Sequence, residues 1–150
     1  MIVVTEILPC EGDSESFLAL VARHYLRGVI LQNRNFIRHG MVPDLYTSKV
    51  RFRPEPRKWP YERFDNALRV VKRGWGDCDD LCPWRAAEIQ ERGPHTTKCL
   101  NELGSDPKCP CWRRADCKIY WRPRREHTDF HVEVRKQDGS VEDPSRLLGM

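Results

Sequence analysis

Gly74-Trp75-Gly76-Asp77-Cys78-Asp79-Asp80-Leu81 is the stretch from which the rest of the chain can be ordered. Two glycines around a tryptophan make a tight linker. Behind it a cysteine stands where a helix begins. Asp79 or Asp80 is the expected cap, and the helix is expected to run to about Arg92, where Gly93-Pro94 stops it. A helix N-terminus carries roughly half a positive charge, which favours thiolate over thiol, and the thiolate is the nucleophile. First-turn N–H groups also point outward there and can hold an oxyanion. Asp77, Asp79 and Asp80 would raise the pKa of Cys78 if they faced the sulfur; at such positions they are expected to cap the helix and bond the loop instead. Taken alone, Cys78 also fits an ordinary buried cysteine.

Working outward, Phe17, Leu20, Val21, His24, Leu26 and Ile30 follow helical spacing. Asp13 or Ser14 caps that helix, Gly28 weakens its middle, and it reaches about Arg38 before Gly40. Ile2 to Leu8 reads as a short strand ahead of it. Pro43, Pro54 and Pro56 make 41–56 a loop with short extended pieces. Pro60 is placed to start a second helix, with Phe64, Leu68 and Val71 on one face and Gly74 as its end. Downstream, residues 94–113 read as irregular and Ala115 to Arg122 as a strand. Asp129 to Lys136 is a clearer strand, with Phe130, Val132 and Val134 on one face and His131, Glu133 and Arg135 on the other. Gln137-Asp138-Gly139-Ser140 is a hairpin turn leading to a return strand about Val141. Helices first and strands afterwards predict an α+β fold, and 150 residues suit one domain.

The longest apolar run, Phe17 to Ala22, is too short to cross a bilayer. Met1 to Glu6 lacks the basic start of a signal peptide, so neither export signal nor anchor is expected. The net charge of +4, from 26 Lys and Arg against 22 Asp and Glu, permits an acidic partner without requiring one. Seven cysteines cannot all pair within one chain. With no export signal, a reducing compartment is the simpler expectation, and the cysteines are then nucleophile, metal ligands or core residues.

His131 alternates away from its apolar strand neighbours, and Asp143 follows one hairpin later. Adjacent strands would let Asp143 accept the imidazole N–H and fix the tautomer of a base for Cys78. Each also has an ordinary reading: His131 as a surface histidine, and Asp143 as a turn residue before Pro144. The order Cys, His, Asp, with Gly74-x-Gly-Asp-Cys-Asp-Asp-Leu81, Arg85-Ala-Ala-Glu88, Arg92-Gly93, His131-Val-Glu-Val134, Asp138-Gly139 and Glu142-Asp-Pro-Ser145, resembles the transglutaminase-like superfamily of papain-type folds. Leu45-Tyr46 and Lys49-Val-Arg-Phe52 resemble the lead-in of its short bacterial and tailed-phage members, so the likeness covers about residues 41–150. It implies a papain-like core, with the nucleophile helix packed on a small antiparallel sheet. It further implies Cys78 as nucleophile, His131 as general base and then acid, and Asp143 as orienter. The activity implied is thiol-dependent acyl transfer on a peptide or protein amide, as a cysteine peptidase or amidase or as a cross-linker, with no cofactor. Trp75 stands near the nucleophile as oxyanion donor, lid or packed aromatic. The alternative is a non-catalytic phage virion or tail component on the same fold, bound to other virion proteins. The expected location is the bacterial cytoplasm or the virion. Three features depart from the family: Cys82-Pro83 after Leu81, with a helix kink expected at Pro83; Val132 where an aromatic is common; and a cysteine-rich insert over 94–117.

Within that insert Cys99, Cys109, Cys111 and Cys117 are candidate zinc ligands. Their spacing is not that of paired Cys-x-x-Cys motifs, which leaves free or adventitiously paired thiols as the other reading, and His95 or Cys82 adds little to the pattern. Trp112-Arg113-Arg114 and Tyr120-Trp121-Arg122-Pro123-Arg124-Arg125 interleave aromatic and basic residues, a mixture that suits nucleic acid. A solvated face with arginine stems over tryptophan rings is the preferred reading, and nucleic acid is not the expected partner. His127, which shares the parity of His131, is either a neighbour of the site or an idle surface residue.

Overall fold

Helix α1, Glu15–Arg38, is the long N-terminal helix expected from the apolar spacing, and Gly40 follows it at φ +63°. The structure, a computed structural model, describes residues 15–55, 63–102, 104, 106, 108–123 and 128–150. The strand expected at Ile2–Leu8, and Pro60 and His127, lie outside these residues. A 3-10 turn at Leu45–Thr47 leads to β1, Arg51–Phe52. Helix α2, Ala67–Arg73, starts later than Pro60 and Phe64 suggest, because the Asn66 side chain accepts the Arg69 N–H at 3.2 Å and caps it there. Phe64 is spent on packing instead. Its ring stacks on Tyr25 at 5.8 Å and on Phe130 at 6.3 Å, joining α1 to the sheet.

Strand β2, Trp75–Gly76, pairs in parallel with β1, and helix α3, Cys78–Glu91, begins two residues after Gly76. Two short helices, α4 (Thr97–Asn101) and α5 (Cys111–Arg114), occupy the stretch read as irregular. Strands β3 (Ala115–Pro123), β4 (Thr128–Lys136) and β5 (Val141–Glu142) make an antiparallel sheet in that order. Its register sets Tyr120 opposite His131 and Val134 opposite Glu142. Helix α6, Pro144–Leu147, closes the described chain, where an irregular end was expected.

Helix α3 is the centre of the molecule and is buried around most of its circumference. One side carries Cys82, Ala86 and Ala87 against Leu26 and Ile30 of α1, Ala115 and Cys117 of β3, and Val132 and Val134 of β4. The other carries Leu81 and Trp84 against Val42, Leu45, Val50, Ala67 and Val70. The small residues of the first set let sheet and α1 approach closely, while Trp84 fills the wider gap on the second. The fold is thus a mixed α+β arrangement with two small sheets. Among the described residues no helix is long and apolar enough to cross a membrane.

Candidate functional site

The start of α3 is held from several directions. Asp77, rather than Asp79 or Asp80, is its N-cap, and Asp77 and Asp80 form a capping box in which Asp80 Oδ2 accepts the Asp77 N–H at 3.4 Å. The expectation placed the cap two or three residues late because all three aspartates fit it by type. Asp80 is fully buried. It accepts the Asp65 N–H at 2.7 Å and pairs with Arg73 at 2.6 Å. Burial and the neighbouring Asp77 carboxylate push the Asp80 carboxyl up, against the pull of Arg73. Asp79 is buried too, at 1% exposure. The helix continues unbroken past Pro83, six residues into α3.

Gly76 is a spatial requirement. A Cβ there would lie 3.1 Å from Asp80 Cβ and 3.2 Å from Leu81 Cδ2 and Val70 Cγ1. Gly74 is a conformational one, ending α2 at φ +80°. Between them Trp75 is half-buried, with two guanidinium groups over its ring, Arg73 Cζ at 3.8 Å and Arg53 Cζ at 5.2 Å from the ring centre.

Among the described cysteines Cys78 alone is partly exposed. One turn on, Cys82 is buried and its thiol donates to the Val132 carbonyl at 3.1 Å, which fixes this face of α3 on β4 beside His131. Burial, chiefly, with Cys117, Cys78, Asp143 and Glu133 around it, pushes the Cys82 thiol well up. Burial does the same to Cys117. A thiol buried and held up in this way is a poor nucleophile.

His131 is 5% exposed. Its Nε2 lies 2.9 Å from Asp143 Oδ2 and 4.0 Å from Glu133 Oε1. Asp143 is itself the N-cap of α6: its Oδ1 accepts the Ser145 N–H at 3.0 Å and the Arg146 N–H at 3.4 Å, and Pro144 takes the first helical position. Asp143 thus serves both sides: Oδ1 takes the α6 N–H groups, and Oδ2 meets His131 Nε2 and, at 3.1 Å, Arg146 Nε. Glu142 anchors the same segment, accepting from Arg85 Nε and Lys136 Nζ at 2.6 Å each and from the Tyr46 hydroxyl. An Nε2–H donated to Asp143 leaves Nδ1 as the basic nitrogen of His131.

A second cluster lies at the far end of α3. His95, Cys99, Cys109 and Cys111 bring one donor atom each to within 4.8 Å of one another. Cys117 does not join them: it is in β3, in the main core. His95 takes the fourth place, a role that residue spacing alone did not single out because the His-x-x-x-Cys and Cys-x-Cys pieces are brought together by α4 and α5. Burial raises the Cys109 thiol, but hydrogen bonds with Cys111, the Thr96 backbone and Cys99 outweigh it and bring it down to about 6. Of the basic–aromatic residues nearby, Arg113 is exposed while Trp112 and Arg114 pack inward. Trp112 lies under Arg34 at 5.1 Å, and Arg114 donates to the Gln90 carbonyl at 2.7 Å and to that of Pro94, closing the end of α3.

Compared with protein-family models, with curated proteins and with solved structures, the chain matches none.

Proposed function

We propose that the chain is a thiol-dependent acyltransferase or hydrolase of transglutaminase-like type, acting on peptide or protein amides, with α3 and the β3–β4–β5 sheet as a papain-like core. The observation that carries this reading is the 2.9 Å bond from His131 Nε2 to Asp143 Oδ2. It orients an imidazole on the strand against which α3 is fixed one turn beyond the only partly exposed thiol among the described cysteines.

In this reading Cys78 Sγ attacks the amide carbonyl carbon, and its proton passes to His131 Nδ1. In this reading first-turn N–H groups of α3, other than that of Asp80, which the Asp77 side chain accepts, face the oxyanion. His131 then protonates the departing amine as the C–N bond breaks, leaving a thioester on Cys78. Water resolves the thioester in a peptidase or amidase; a lysine amine resolves it in a cross-linker. Asp143 keeps the imidazole in the productive tautomer and stabilises its charged form. Asp80 does not burden the thiolate, because its carboxyl is turned to Asp65 and Arg73.

Site-resolved iodoacetamide labelling across pH, on the wild type and His131→Ala, tests the reading. Cys78 is expected to react fastest, with an apparent pKa below the ordinary value of about 8.5, and to lose that advantage without His131. Labelling of Cys78 no faster than Cys82 or Cys117 in both proteins would end the enzyme reading in favour of a non-catalytic virion or tail component.

A further inference from the structure

We propose that His95, Cys99, Cys109 and Cys111 form a closed tetrahedral zinc site that fastens the segment between α3 and β3 to α1. All four donor atoms lie within 4.8 Å of one another, and three of the six distances between them match the edges of a tetrahedron around a metal. Cys99 Sγ lies 3.8 Å from Cys111 Sγ and 3.5 Å from His95 Nδ1, and Cys109 Sγ lies 3.8 Å from the same nitrogen. Zinc with bonds of about 2.3 Å to sulfur and about 2.0–2.1 Å to nitrogen sets tetrahedral edges of about 3.8 Å between sulfurs and about 3.6 Å between sulfur and nitrogen. Three thiolates and an imidazole are soft to borderline donors, which select zinc over calcium, magnesium or manganese.

The surroundings fit the charged, metal-bound form. Arg34 is 0% exposed, and its Nη2 donates to Cys99 Sγ at 3.2 Å and to Cys111 Sγ at 3.0 Å. Arg38 Nη2 lies 3.6 Å from Cys99 Sγ. The carboxylate that both arginines share is Glu91, bonded to each Nε at 2.5 Å. Two guanidinium groups on one carboxylate leave an excess positive charge in a buried place, which is costly. Zinc on three thiolates and a neutral histidine carries one negative charge and balances it. Neutral thiols would not.

The histidine is oriented as a ligand. Its Nε2 lies 3.5 Å from both Glu91 Oε2 and the Glu91 carbonyl, an outer partner for a metal-bound imidazole, while its Nδ1 faces Cys99 and Cys109 with Arg38 Nη2 also at 3.5 Å. The backbone is shaped to admit the arginine: Gly104, at φ +89°, accepts Arg34 Nη1 at 3.0 Å, and a Cβ there would come within 2.8 Å of Arg34 Cζ. Four protein ligands, three of them buried, complete the coordination and give a structural site without an open position. Cys78 stands at the other end of α3, about 20 Å away along a helix of 1.5 Å rise, so the metal takes no part in its chemistry. The inference is independent of the acyl-transfer reading.

Elemental analysis of the full chain, expressed with zinc and purified without chelator, is expected to find about one zinc per molecule. Cys99→Ser and Cys109→Ser should lose it, and Cys117→Ser and Cys78→Ser should keep it. X-ray absorption on the wild type decides the matter even if the ligand variants do not fold, and should show three sulfurs and one nitrogen around zinc. Metal-free wild type, iron in place of zinc, full zinc retention in Cys99→Ser and Cys109→Ser, or a Cys99–Cys111 disulfide in chain purified under reductant would overturn the proposal.

Discussion

Glu142 shows how a single side chain sets the position of another. It takes Arg85, Lys136 and Tyr46 as donors, one residue before Asp143. Burial works against its ionisation, but these three partners hold the carboxyl down at about 2, below the ordinary value of 4.5. A lowered carboxylate pKa stabilises the fold fully above the unfolded value. As pH falls from about 4.5 towards 2, the unfolded chain takes up the proton first and the stabilisation is lost. At about 1.4 kcal/mol per unit this sets an upper bound of roughly 3 kcal/mol at neutral pH, which solvent screening of the half-exposed partners reduces. Glu142→Gln should therefore lower the melting temperature at pH 7 and flatten its decline between pH 4.5 and 2. A decline as steep as that of the wild type would place the acid sensitivity in other groups.

At the scale of elements, the start of α3 depends on how near the preceding strand comes to it. Gly76→Ala sets a methyl 3.1–3.2 Å from Asp80, Leu81 and Val70, atoms of a helix terminus and a packed core. The expected cost is about 1–3 kcal/mol, as for other overpacked sites, with Cys78 displaced as the helix start moves. Urea unfolding and Cys78 labelling on the same variant check both. Unchanged values in the two measurements would mean that α2 and α3 can separate freely. The Asp77 cap, the Asp80 bonds and the arginines on Trp75 form a frame around Gly76, which is why the small residue belongs between β2 and α3.

Over the whole molecule, α3 runs from Cys78 at one end to the His95, Cys99, Cys109 and Cys111 cluster at the other, and Arg34 ties α1 to that cluster. Its guanidinium meets Glu91, Gly104, Cys99 and Cys111, and lies over Trp112. Such a group contributes little compared with a well-packed apolar residue, but its removal strands its partners. Arg34→Met should cost about 3–5 kcal/mol, the range for breaking a buried charge pair. Equilibrium unfolding of wild type and variant measures it. A loss under 1 kcal/mol would show that Arg38 alone satisfies Glu91 and the thiols.

Local sequence carried much of this design. The apolar spacing over 17–30 marked α1, the alternation over 129–136 marked β4, and Asp138-Gly139 marked the turn to β5, because helix and strand periods and turn residues act over neighbouring positions. Cys78, His131 and Asp143 were singled out by type, order and resemblance. Only the tertiary structure decided that Asp143 reaches His131 while capping α6, that Asp77 and not Asp79 or Asp80 caps α3, and that Phe64 belongs to an aromatic stack and not to α2. It also decided that His95 and not Cys117 joins Cys99, Cys109 and Cys111. Each of these depends on contacts between residues distant along the chain or on competition between similar neighbours, and neither spacing nor propensity records which partner is met.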